Sequence, residues 1–144
     1  MKYRNLRVLA GTLAQLMSDY LTDYPLPGEV LVPVPLHRKR LRERGYNQSE
    51  LLARELGRLA NLPVVDDCLV RERHAVPQAR AMNVEERRRN VAGVFCCRND
   101  RLRGKQVLLI DDVATSGATL DACAAALKAA GAISVWGLVL SREI

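Results

Sequence analysis

Short apolar runs alternate with helix-forming segments along this 144-residue sequence, and that order constrains the fold more than any other feature. The apolar runs cover residues 29–35, 64–71, 93–97, 106–110 and 133–140, and the helical segments cover 6–20, 49–61 and 118–130. Continuously apolar strands that are separated by helices typically form a parallel sheet buried on both faces. We therefore expect an α/β fold, with a mostly parallel sheet flanked by helices. No internal repeat is visible, so residues 1–144 are expected to form one domain.

The N-terminal segment and the cysteines carry expectations about location. Apolar residues at positions 6, 9, 10, 13, 16, 17 and 20 follow one face of an amphipathic helix. Thr12 and Gln15 interrupt the run, unlike a secretory signal, and no stretch has transmembrane length. The four cysteines form no Cys-x-x-Cys pair. We expect reduced thiols, no zinc site and a cytoplasmic protein without membrane insertion.

The formal net charge of +6 is concentrated in the middle of the chain. Residues 36–101 contain 15 Lys and Arg against 9 Asp and Glu, whereas residues 104–144 contain 3 against 4. A basic region of this kind suits a polyanionic partner. That partner could be a nucleic acid or a small phosphorylated ligand, and composition does not separate the two.

The segment 107–120 carries the strongest chemical signal. An apolar strand ends in Asp111 and Asp112, and a small, hydroxyl-rich turn, 115–119, then enters a helix. Ligands of open α/β sheets bind at this edge, and the helix N-terminus favours an anion, so the turn is expected to hold a phosphate. The carboxylates would repel that phosphate, so they are expected to bind sugar hydroxyls or a hard cation. A phosphorylated ribose fits both requirements.

Two other classes of protein place acids after an apolar strand. In response-regulator receivers that strand comes first and later strands supply further site residues, but only about thirty residues follow here. A Walker B strand would need a Gly-x-x-x-x-Gly-Lys-Ser/Thr loop before it, and the sequence has none. The sequence therefore fits neither a receiver domain nor a Walker B strand well.

The same segment resembles the 5-phosphoribosyl-1-pyrophosphate (PRPP) loop of type I phosphoribosyltransferases, and further motifs resemble the ComF family of competence-associated proteins. These motifs are Val32-Pro-Val-Pro-Leu-His37, Arg44-Gly-Tyr-Asn-Gln48, Pro77-Gln78, and Arg87 with Asn90 and Phe95. The resemblance covers residues 1–142 and implies the type I phosphoribosyltransferase fold. ComF proteins commonly begin with a four-cysteine zinc ribbon, and this chain starts where that ribbon would have ended.

The resemblance also implies roles for individual residues. Asp111 and Asp112 would be the catalytic acids and would hold Mg²⁺. The PRPP-binding set would be Asp111, Asp112, Val113, Ala114, Thr115, Ser116, Gly117, Ala118 and Thr119. The basic segment after the first strand is expected to bind pyrophosphate, through Arg38, Lys39 and Arg44. A solvated surface is the alternative for this segment. Arginines at 71, 73 and 87–89 could belong to a hood over PRPP or to a solvated face.

The implied activity is transfer of the 5-phosphoribosyl group from PRPP to a nitrogen acceptor, with release of pyrophosphate. Type I enzymes that act on 6-oxopurines carry an Asp where Thr115 stands, so hypoxanthine and guanine are doubtful acceptors. The alternative is a non-catalytic adaptor with a PRPP-binding fold that acts in DNA uptake or regulation and binds single-stranded DNA or a competence protein. No base-binding segment is recognisable after Leu140, which favours the adaptor.

Overall fold

The computed structural model describes residues 2–71, 94–114 and 117–142. Its elements in chain order are α1 (Lys2–Asp23), β1 (Val30–Pro33), α2 (Arg38–Arg44), α3 (Gln48–Ala60), β2 (Leu69–Arg71), β3 (Phe95–Cys97), β4 (Gln106–Ala114), α4 (Ala118–Ala129) and β5 (Ser134–Arg142). No helix in these ranges is both long and apolar enough to cross a membrane.

A three-stranded parallel sheet, in the order β1-β4-β5, forms the centre of the fold. Its central strand β4 pairs with both neighbours, with Leu109 opposite Val32 and Leu108 opposite Trp136. β2 and β3 form a separate antiparallel pair. The expected α/β fold with a parallel sheet between helices is therefore confirmed.

The sheet separates two hydrophobic cores because successive side chains of β4 point to opposite faces. Leu108 and Ile110 pack against α1 and α3, in a cluster that also contains Met17, Leu52 and Leu56. On the other face, Val107 and Leu109 pack against α4 and the β2–β3 pair, with Phe95, Cys123 and Leu127. The apolar run in β4 is thus buried on both sides, as its composition predicted.

Several boundaries differ from the sequence expectations. The basic segment that follows β1, which none of the predicted helices covers, contains α2. Nδ1 of His37 accepts the backbone N–H of Lys39 at its start, and Gly45, with φ 84°, ends it in the left-handed conformation. In the expected strand 64–71, only Leu69–Arg71 is a strand, preceded by an isolated parallel bridge between Val64 and Leu31.

The face that α1 buries also differs from the expected one. Ala10, Ala14 and Met17 are buried, whereas Leu16 and Tyr20 are 59% and 48% exposed. Small side chains let α1 approach α3 closely, so the contact face is set by fit as well as by hydrophobicity. A pattern of apolar residues alone does not contain that information.

Candidate active site

Asp111 and Asp112 lie in the last part of β4, the central strand of the sheet. The strand was expected to end at Ile110, but it continues to Ala114 because β5 extends alongside it, with Val113 opposite Ser141. β1 ends at the same edge, where the N–H of Val34 donates to the carbonyl of Ile110 at 2.9 Å. The two acids therefore lie where the carboxyl ends of the parallel strands meet, which is the usual ligand edge of such sheets.

Two donors fix one carboxylate oxygen of Asp111. Oδ1 accepts a hydrogen bond from Oγ of Ser49 and another from the backbone N–H of Asp112, both at 2.9 Å. Oδ1 of Asp112 in turn accepts the backbone N–H of Val113 at 2.9 Å. These bonds orient both carboxyl groups. Among the described residues these bonds do not involve Oδ2 of either residue, and that oxygen can meet a cation or a sugar hydroxyl.

Ser49 was not identified from the sequence. It is only 4% exposed, lies in the first turn of α3, and bonds to an acid 62 positions away. Asn47, the N-cap of α3, accepts the N–H of Ser49 and donates its side-chain amide to the carbonyl of Val34 at 3.1 Å. The start of α3 is thereby tied to the end of β1. The N-cap pattern was readable in the sequence, but the contact with Asp111 was not.

The environment of Asp111 opposes its ionisation. Burial raises the pKa of Asp111 to about 6, and the neighbouring carboxyl of Asp112 adds to the increase, whereas the hydrogen bond from Ser49 lowers it. Burial and a neighbouring carboxyl group both disfavour the ionised form of Asp111, so a bound cation would stabilise that form.

This environment fits Mg²⁺, which commonly takes only one or two protein carboxylates and completes its shell with waters and ligand phosphates. Within residues 2–71, 94–114 and 117–142, no group of three or more His, Cys, Asp or Glu side chains could hold a metal. Asp111 and Asp112 are two neighbouring carboxylates, which is the number of protein ligands that such a site takes.

The turn after β4 leads directly into α4. Gly117 has φ 79°, a left-handed conformation that favours glycine, and no side chain caps the helix at this residue. Ala118 and Thr119 form the first turn of α4, so its N-terminus faces the same edge of the sheet as the two acids. Thr115 and Ser116 lie outside the described residues. The positions of Gly117, Ala118 and Thr119 suit an anion near this helix end.

The basic residues expected to bind pyrophosphate lie on α2. Arg38, Lys39 and Arg44 are exposed, and α2 buries none of its residues. The helix follows β1 at the same edge of the sheet as Asp111, but no hydrogen bond or ion pair of the described residues joins these three side chains to the acids. The resemblance motifs at 77–78, 87 and 90, and the hood arginines at 73 and 87–89, lie outside the described residues.

The cysteines are all free thiols. Burial raises the pKa of Cys97 to about 12, and burial also raises the pKa of Cys123. Thiols with raised pKa values are poor metal ligands because the thiolate is the ligating form. The absence of a zinc site stays a prediction.

Comparison with known proteins identifies the family. Residues 42–140 match the family model described as "Phosphoribosyl transferase domain". The chain is 33% identical to Competence protein F of Haemophilus influenzae, over 95% of this chain and 63% of that protein. It is 36% identical to Competence protein ComFC of Bacillus subtilis, over 88% and 50%, and 29% identical to DNA utilization protein YhgH of Escherichia coli, over 96% and 63%. The chain thus spans between half and two thirds of these curated relatives.

Solved structures agree on the fold. Glutamine PRPP amidotransferase from Bacillus subtilis matches with a TM-score of 0.59 and 19% identity, over 94% of this chain and 26% of that one. A purine phosphoribosyltransferase from Pyrococcus horikoshii matches with a TM-score of 0.55 and 15% identity, over 91% and 70%. At such identities the likeness concerns the fold alone. The family match over residues 42–140 shows that the chain belongs to the phosphoribosyl transferase domain family, and its similarity to the two competence proteins is consistent with the ComF family within it.

Proposed function

We propose that this protein binds Mg²⁺ and PRPP at the edge of the sheet formed by the end of β4 and the start of α4. In the proposed reaction it transfers the 5-phosphoribosyl group to a nitrogen acceptor in the cytoplasm and releases pyrophosphate. The observation that carries the proposal is the pair Asp111 and Asp112, which Ser49 and backbone N–H groups orient on the strand that precedes α4 in the chain.

We assign each part of the ligand to one part of the proposed site. The turn 115–119, with the N-terminus of α4, is proposed to hold the 5-phosphate. Oδ2 of Asp111 and of Asp112 is proposed to face the ribose hydroxyls and the cation. Mg²⁺, when bound, would neutralise charge on the leaving pyrophosphate. The side chains would hold the ribose in place while the bond from its anomeric carbon to pyrophosphate breaks and the bond to nitrogen forms.

The direct test compares melting temperatures with and without Mg²⁺ and PRPP. A ligand that binds only the native state at a hundred times its Kd adds roughly 2.7 kcal/mol, which raises the melting temperature by several degrees for a domain of this size. We expect the double variant Asp111→Asn, Asp112→Asn to fold and to lose the shift, because Asn keeps the shape but not the negative charge.

The matched control is Asp19→Asn, Asp23→Asn, which makes the same charge change at two exposed positions of α1. This control is expected to keep the full shift. A wild-type melting temperature that does not respond to Mg²⁺ and PRPP, or a shift that survives in the Asp111, Asp112 variant, would contradict the proposed binding site.

We further propose that Arg38, Lys39 and Arg44 bind the pyrophosphate part of PRPP, since α2 lies at the same edge of the sheet with its basic side chains in solvent. Replacing all three with Ala is expected to weaken PRPP binding more than ribose-5-phosphate binding, because only PRPP carries a pyrophosphate. Calorimetric titrations of both ligands measure the difference. Equal losses of affinity for the two ligands would show that α2 does not bind the pyrophosphate part.

A second function is favoured by the names of the curated relatives, two of which are competence proteins and one a DNA utilization protein. In this alternative the domain acts without catalysis in DNA uptake or regulation and binds single-stranded DNA or a competence protein. Salt-sensitive binding of single-stranded DNA that is independent of PRPP would support it. Release of pyrophosphate from PRPP in the presence of a nucleobase would support the enzyme.

A further inference from the structure

A cavity of about 380 Å³ lies between the end of β1, helix α2, the first turn of α3 and strand β2. Its lining includes Asn47, which sits two positions before Ser49 in the turn that orients Asp111. The cavity and the proposed ribose site are therefore neighbours across the start of α3. Of the arginines that line the cavity, only Arg38 belongs to the proposed PRPP site.

Three arginines, Arg38, Arg71 and Arg98, line the cavity. Among the described residues, no salt bridge joins any of them to an acid. Two acids, Glu50 and Asp66, also line the cavity, but both are bound by the guanidinium of Arg54. Arg54 offsets part of the negative charge of the two acids, and the four arginines together outnumber them, so the cavity keeps an excess of positive charge that suits an anion.

The side chain of Arg71 is restrained by packing, but one of its hydrogen-bond donors has no partner among the described residues. Its guanidinium lies over the ring of Phe95, 5.5 Å from the centroid, which restrains the side chain. Its Nε is buried and has no hydrogen-bond partner in the described part of the chain. A buried donor of a charged group without a partner is uncommon in a native protein, and the positive charge of Arg71 has no counter-charge among the described residues.

The remaining walls are apolar and come from Pro35, Leu36, Leu41, Leu69 and Val70. A bare pyrophosphate would gain nothing from such walls, whereas the volume and the mixed lining are those of a site for a small organic molecule. We propose that the cavity binds the phosphoribosyl acceptor, and that this acceptor has an apolar body and a carboxylate or phosphate group held by Arg71 and Arg98. The identification as acceptor rests on the proposed transferase function.

Benzoate and benzamide form a matched pair of probes, because they share a ring and differ in the charge of one small group. In NMR titrations without PRPP, we expect benzoate to shift the backbone signals of Leu69 and Arg71 and to bind at least about tenfold more tightly than benzamide. Equal affinities for the two probes would overturn the proposal, and so would binding of neither.

Variants test which arginines cause the preference for benzoate over benzamide. Arg71→Gln with Arg98→Gln is expected to abolish the preference for benzoate, and Arg98→Gln alone, at an exposed position, is expected to reduce it without risk to folding. The control Arg103→Gln removes the same charge from an exposed position that does not line the cavity, and it should leave the preference unchanged. A preference that survives in both cavity variants would contradict the site.

A last titration distinguishes the acceptor from the pyrophosphate part of PRPP, which is the other possible source of an anion. With Mg²⁺ and PRPP already bound, benzoate is expected still to bind. Displacement of benzoate by PRPP would assign the cavity to pyrophosphate and overturn the acceptor proposal. If PRPP itself does not bind, the proposed function fails, while the titrations without PRPP still test the cavity.

Discussion

Removal of the Ser49 hydroxyl tests whether the start of α3 controls the charge of Asp111. Ser49 is buried, and its Oγ donates to Oδ1 of Asp111 at 2.9 Å. The variant Ser49→Ala deletes that donor and leaves the backbone N–H of Asp112 on the same oxygen. Since the hydrogen bond favours the carboxylate over the carboxylic acid, we expect its loss to raise the pKa of Asp111 further.

The size of the change follows from the strength of the bond. A hydrogen bond to a charged group contributes about 1.5–3 kcal/mol, and one pKa unit corresponds to about 1.4 kcal/mol. Loss of the whole bond would therefore raise the pKa of Asp111 by about one to two units. Asp111 is only partly buried, and water can replace part of the lost bond. We therefore expect an increase of about one unit, from about 6 in the wild type to about 7 in the variant.

The assay is a pH titration of the Asp111 carboxyl carbon by ¹³C NMR in ligand-free protein, between about pH 4 and pH 9. Ser134→Ala is the matched control, because Oγ of Ser134 is buried but has no hydrogen-bond partner in the described part of the chain. The control should leave the titration midpoint of Asp111 unchanged. A midpoint that is the same in Ser49→Ala and wild type would refute the reasoning, and so would a wild-type midpoint near 4.

Three further predictions concern stability. Because the pKa of Asp111 rises from 3.8 to about 6 on folding, the native state binds the proton more tightly, and the free energy of unfolding should fall as pH rises from about 4 through 6. In the Asp111→Asn variant, the decrease in the free energy of unfolding over this pH range should be smaller by about 1 kcal/mol, a figure that allows for the partial exposure of Asp111. Denaturant titrations at several pH values measure the difference. Gly57→Ala should lower the free energy of unfolding by about 1–3 kcal/mol, because the new Cβ would lie 2.7 Å from the carbonyl oxygen of Leu62. Gly11→Ala, which meets nothing within 4 Å, should raise it by about 0.5–1 kcal/mol, and a loss of stability there would contradict this use of helix propensity.

The sequence determined those features that depend on neighbouring residues. The apolar residues 107–110 are buried, as their composition predicts. A strand followed by a small turn and a helix places Asp111 and Asp112 at the ligand edge of a parallel sheet. The fold class follows from the same local order of strands and helices. Local patterns suffice here because periodicity and turn chemistry act over only a few residues.

Only the tertiary structure decided which residues meet across long separations. The bond between Ser49 and Asp111 joins positions 62 apart, and the burial that raises the pKa of Asp111 exists only once the sheet and α3 have packed. The shared cavity of Arg38, Arg71 and Arg98 likewise depends on how α2, β2 and the residue after β3 come together. The sequence shows that these side chains are charged or polar, but their partners are fixed by packing geometry, which has no local signature.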